Sequence, residues 1–163
     1  MNISDLVASP TLTSTTSLHV DPTLDTDALQ EAQLIGLQLD ARLGVLALIF
    51  DMRVAISLRQ GNTGLLVVRG ARQIVWEAES RSTTSTAWNV MSSSTVWQQG
   101  GLKFDLQLWP DAILSALGDS AQYFALDAKG IGLVPPDYTT ADEPSIKEQI
   151  AHWHTDATVV AVS

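Results

Sequence analysis

The chain has no cysteine among its 163 residues. That removes disulfides, zinc-thiolate sites, iron–sulfur clusters and cysteine nucleophiles in one step, and it suits a reducing compartment, so a cytoplasmic location is expected. Positive charge is missing from the start of the chain. The first lysine or arginine is Arg42, and without a basic n-region neither a secretory signal nor an Arg-rich transit peptide is expected. Long apolar runs are absent too. The longest, residues 43–50, falls far short of the ~20 residues that span a bilayer, so no membrane partner is expected. A chain of this length needs no covalent staple, because a domain of about 150 residues buries roughly 70% of its unfolded surface.

Bases are outnumbered, nine against eighteen acids, for a net charge of −9. Residues 1–41 hold six acids and no base, residues 42–103 seven bases and three acids, and residues 104–163 nine acids and two bases. An acidic surface repels phosphate backbones, so nucleic acid is not expected as a partner.

What the chain does have is alternation. Leu46, Leu48, Phe50, Met52, Val54, Ile56 and Leu58 are apolar at strictly alternate positions, the period-2 signature of one continuous strand with its even positions buried. A strand this long must bend or change sheets. The expected fold is therefore mainly β, a curved antiparallel sheet forming a sandwich or a partly open barrel, with one carboxyl-terminal helix. On the opposite face Val45, Ala47 and Ile49 are apolar while Asp51, Arg53, Ser57 and Arg59 are polar, so the first half of the segment is expected to be covered on both sides.

Residues 1–24 are rich in Ser and Thr and contain Pro10 and Pro22, which predicts a loosely held arm; residues 25–163 form the single β-rich domain. Asp27 and Gln30 have capping-box spacing for a short helical turn at residues 26–33. A strand is predicted from Ile35, joined to the long strand by an even-length loop. Gly61-Asn62-Thr63-Gly64 should close the next hairpin. Further strands are predicted around Trp76, Trp88, residues 102–108 and residues 123–126. Residues 110–117 are ambiguous between helix and strand, with a Pro110-Asp111 turn into a strand preferred. Asp142 caps a helix with Pro144 in its first turn and Ile146 and Ile150 on one side. Residues 159–162 suit a closing edge strand.

Chemistry-bearing patterns are few. His152, His154 and Asp156 alternate and would share one face of an extended segment, which makes them the best metal candidates, but they lack a specific ligand framework and no metal or other cofactor is expected. There is no G-x-S-x-G elbow for a serine nucleophile. Glu77, Glu79 and Asp105 fit outward strand positions better than an acid/base pair, and Gly130-Ile131-Gly132 is too short for a phosphate loop and fits a turn. Trp109 is out of phase with its strand and is the first choice for a partner contact, joined by the acidic pair Asp142 and Glu143.

A small, acidic, cysteine-free chain with no catalytic constellation resembles the bacterial immunity proteins in overall character, and that resemblance implies docking onto a protein partner, here one with a basic surface. The alternative is a carrier whose barrel-like sheet encloses a cavity for a small apolar ligand. A hydrolytic or metal-dependent enzyme ranks third.

Overall fold

The computed structural model describes residues 1–9, 12, 16–79 and 87–163. Among them are nine strands: β1 (Gln33–Asp40), β2 (Val45–Asp51), β3 (Thr63–Arg69), β4 (Gln73–Ala78), β5 (Trp88–Gln98), β6 (Gly101–Trp109), β7 (Ala112–Gly118), β8 (Ser120–Ala128) and β9 (Ala157–Val162). All pairings are antiparallel, in one open sheet of order β4-β7-β6-β5-β1-β2-β3-β8-β9. The mainly β expectation holds, and two helices accompany the sheet: α1 (Ile3–Ala8) and the carboxyl-terminal α2 (Glu143–Gln149).

The sheet folds on itself where β1 meets β5. Among the described residues that junction consists of two pairs, Gln33 with Asn89 and Leu34 with Trp88. A wide half, β1-β2-β3-β8-β9, thus faces a narrow half, β4-β7-β6-β5. Side chains from both inner faces, among them Leu46, Leu48, Phe50, Leu66, Leu102, Phe104, Leu106, Leu114 and Tyr123, fill the space between them in one buried cluster. The wide half is also covered outside, where Ala47, Ile49, Leu65, Val67, Phe124 and Leu126 pack with Ile3 and Leu6 of α1 and with Ala151 and Trp153. Two covers explain why every position of β2 is buried, odd and even alike.

The long-strand expectation fails beyond Asp51. Leu46, Leu48 and Phe50 are buried as expected, but residues 52–62 form no strand, and Val54 and Ile56 are 44% and 52% exposed. The reason is Asp51 itself. Its carboxylate accepts a hydrogen bond from the backbone N–H of Arg53 at 3.1 Å, which turns the chain out of the extended path.

Three smaller corrections follow. Residues 3–8 form a helix with Ile3 and Leu6 fully buried, so this part of the chain is docked rather than loosely held. Of residues 26–33, predicted as a helical turn, 26–31 make turns instead of a helix and Gln33 already begins β1, with Asp27 and Glu31 at positive φ; the Asp27 carboxylate accepts from Ser92 Oγ and Ser93 N and is not a cap for Gln30. The Ser/Thr-rich stretch 80–95, whose sequence around Trp88 and Val90 predicts a short strand between exposed loops, instead holds the start of an eleven-residue strand, with the Ser93 hydroxyl buried and accepting from Leu29 N; residues 80–86 of that stretch lie outside the described residues. Three further readings hold. The β1–β2 loop has an even length, placing Leu39 opposite Leu46; residues 112–118 are a strand; β9 is a sheet edge. Gly64, read as part of a turn, lies within β3, where any side chain would run into the Tyr123 phenol.

Candidate functional site

The turn after β2 builds a buried clasp. Arg53 donates from Nε and Nη2 to the two carboxylate oxygens of Asp51 at 2.8 and 2.7 Å, a bidentate pair, and both side chains are almost wholly buried. The remaining guanidinium donors go to the carbonyls of Gly132, Val134 and Gln149 at 2.9, 3.1 and 2.8 Å. Tyr138 Oη donates to Asp51 at 2.5 Å. Burial opposes the Arg53 charge, but the hydrogen bonds and charge of Asp51 outweigh it and raise the guanidinium pKa. Burial, followed by the Asp51 charge, pushes the Tyr138 phenol well above its ordinary range. Every partner is satisfied, so the clasp is structural: it ties the segment 132–138 and the end of α2 to the end of β2.

Held in this way, α2 lies beside the open mouth of the folded sheet. Its start follows local chemistry. Asp142 accepts from Ser145 N at 2.9 Å as N-cap, Pro144 occupies the first turn, and Ile146 is buried. Hydrogen bonds from the Ser145 side chain and backbone hold the Asp142 carboxyl below the usual carboxylate range. Glu143 pairs with Lys147 at 2.7 Å.

Between α2 and the sheet runs an apolar groove of about 630 Å³ lined by Leu34, Ile35, Gly36 and Leu37 of β1, Ile74 and Trp76 of β4, Ala87, Trp88, Tyr138, and Glu143, Ile146, Lys147 and Ile150 of the helix region. Trp76 and Trp88 meet edge to face, with ring centroids 5.5 Å apart. The alternation of Ile74, Trp76 and Ala78 places Trp76 on the core phase of its strand, and it does lie opposite Leu114, but at the outer edge of the sheet it is 42% exposed rather than buried. A second groove, of about 550 Å³, shares Ala87 and Tyr138 with the first and holds Val54, Met91, Pro135, Pro136 and Trp109, with Glu31 and Asp137 as its carboxylates. Hydrogen bonds from the side chains of Thr139 and Thr140, then from the Thr139 backbone, hold Asp137 well below the ordinary carboxylate pKa.

The residues singled out in the sequence therefore separate into three groups. Trp109 is 55% exposed and lines the second groove, and Glu143 lines the first. Asp142 lines neither and serves as the cap. His152, His154 and Asp156 do not converge: His154 N donates to His152 Nδ1 at 3.3 Å, while the Asp156 carboxylate faces the amino-terminal ammonium at 3.8 Å. Among the described residues no group of three or more His, Asp or Glu is placed to hold a metal ion, and no helix is long and apolar enough to cross a membrane. Sequence reasoning missed the Trp76–Trp88 pair as a wall of the first groove and Tyr138 as a wall shared by both. The available signal was the alternation that turned Trp76 inward at an edge strand. No protein-family model and no curated protein matches this chain.

Proposed function

We propose that the chain is a non-catalytic protein-binding module that engages its partner through the apolar grooves at the mouth of the sheet. One observation carries this reading. The space between the two half-sheets is filled by buried side chains, whereas the Trp76–Trp88 groove opens to solvent between strands and helix. Tryptophan is enriched where binding energy concentrates, and exposed apolar patches mark interaction sites. The described walls carry Glu31, Asp137 and Glu143 against Lys147, itself paired with Glu143, so a basic partner surface is favoured, in keeping with the resemblance to immunity proteins.

A photo-crosslinking residue placed at Leu37 or Trp109 in cells tests this. The expected result is one recurrent basic protein at both positions, whose association slows as ionic strength rises from about 0.01 to 0.15 M and the Debye length falls from about 30 to about 8 Å. The isosteric changes Asp142→Asn and Glu143→Gln should slow it as well, with Asn keeping the helix cap. An acidic partner, or a rate indifferent to salt, overturns the charge argument. A second reading, a carrier of a small apolar ligand, is favoured by the groove volume, which lies within the roughly 300–1,000 Å³ of ligand pockets. Native mass spectrometry showing a small apolar molecule lost on Trp76→Ala would establish that reading instead.

A further inference from the structure

We infer that the partner segment taken by the groove is an extended strand, apolar at alternate positions and flanked by lysine or arginine, that adds itself to the free edge of β1; the inference rests on the protein-binding reading above. Among the described residues, β1 pairs with β2 along its length but with β5 only at Gln33 and Leu34. From Gly36 to Asp40, among the described residues, its other edge has no strand beside it. Backbone groups that point away from β2 there are donors and acceptors open to a further strand, which is the way extended peptides are taken up by sheet edges.

The other sheet edges differ. Along β9, Asn2 bridges to Asp156, Ala157 N donates to Met1 O at 2.9 Å, and Val162 N to Thr16 O at 3.5 Å. The outermost strand β4 carries exposed Glu77 and runs between Arg72 and Glu79, and charge on an edge discourages pairing. Among the described residues the β1 edge has neither protection between residues 36 and 39: the sequence is Gly-Leu-Gln-Leu, without charge or proline, and Leu37 and Leu39 are 42% and 47% exposed.

The edge and the groove suit the same ligand. A strand added to β1 would continue the wide half-sheet, and its alternate side chains would fall toward Leu34, Trp76 and Trp88. Main-chain bonds supply affinity in such complexes and the pockets supply selectivity. Glu31 and Asp137 in the adjoining groove, with no lysine or arginine among its described walls, select basic residues at the ends of the segment.

The test is selection of peptides from an mRNA-displayed random library against the whole protein. The expected winners alternate apolar and polar residues with Lys or Arg at their ends, and slow hydrogen exchange at residues 36–40. They also lose affinity by at least about tenfold, the equivalent of ~1.4 kcal/mol, when alternate backbone nitrogens are methylated. N-methylation leaves the protein untouched, so misfolding of a variant cannot imitate this result. Winners that bind the groove, respond to Trp76→Ala, and yet tolerate N-methylation or protect α2 instead of β1 overturn strand addition and leave the protein-binding reading in place. No winners at all, or winners indifferent to Trp76→Ala, overturn both.

Discussion

The wide and narrow halves of the sheet are built from the same kind of strand but written in different patterns. β2 and β3, in the middle of the wide half, read VLALIFD and TGLLVVR, and almost every position is buried. β6, in the narrow half, reads GLKFDLQLW and alternates strictly, with Leu102, Phe104, Leu106 and Leu108 inside and Lys103 and Gln107 outside. The difference lies in the number of covers: the wide half has a layer on each face, the narrow half on one. Apolar density along a strand therefore measures how many layers press on it.

The sharpest way to break that comparison is to place the same charge on the outer face of each half. Val67→Lys buries an ammonium in the layer under α1, with no carboxylate in that apolar cluster to pair with it. It should abolish folding or cost more than about 4 kcal/mol, read as the shift in a urea denaturation curve. The matching Ile113→Lys in β7 belongs at the other end of the scale, given below.

Next in size is the clasp that closes the end of the wide half. Arg53→Met leaves the Asp51 carboxylate buried without its counter-charge and should cost roughly 3–5 kcal/mol, whereas the double change Asp51→Leu with Arg53→Met should recover most of that loss. A double variant no more stable than the single one would mean that the clasp holds the loop 132–138 by its hydrogen bonds more than by balancing charge.

A smaller effect is expected at Tyr123, whose hydroxyl lies in the core between the halves with no hydrogen-bond partner. Tyr123→Phe removes that cost and should stabilise the fold by about 1 kcal/mol. It also has a pH signature. Burial raises the Tyr123 and Tyr138 phenols above their ordinary value of 10.0, so the folded chain keeps protons that the unfolded chain releases. Stability is intact below pH 10 and declines above it, by up to about 1.4 kcal/mol per pH unit for each phenol. Thermal melts between pH 9 and 11 should show a shallower decline in Tyr123→Phe. Smallest of all, Ile113→Lys should change stability by no more than about 0.5 kcal/mol.

The same contrast explains what could be read without coordinates. β6 was legible because one-sided burial writes period 2 directly into its sequence, and the helix at Asp142 was legible because its cap, proline and isoleucines are local signals. The false continuation of β2 had a different origin. Met52, Ala55 and Leu58 are buried from a turn rather than a strand, while Asp51 and Arg53, which look like an outward polar face, are a buried pair facing residues more than 75 positions away. Long-range pairing of that kind leaves no periodic trace. For the candidate site, exposure of Trp109 was foreseeable from its phase. The grooves were not, since they depend on where the clasp sets α2 against β1.

The order of strands has a consequence for a chain emerging from the ribosome. β3 pairs along its whole length with β8, yet β4 to β7 are synthesised between them. Until residue 128 has been made, the apolar edge of β3 lacks its neighbour, and the outer layer waits longer still for residues 151–162. Long-range antiparallel closure of this sort is slow, and unsheltered strand edges are sticky. The nascent protein is therefore a natural client for a holding chaperone until β8 and β9 have emerged, and truncation before β8 should yield an insoluble product rather than a smaller folded one.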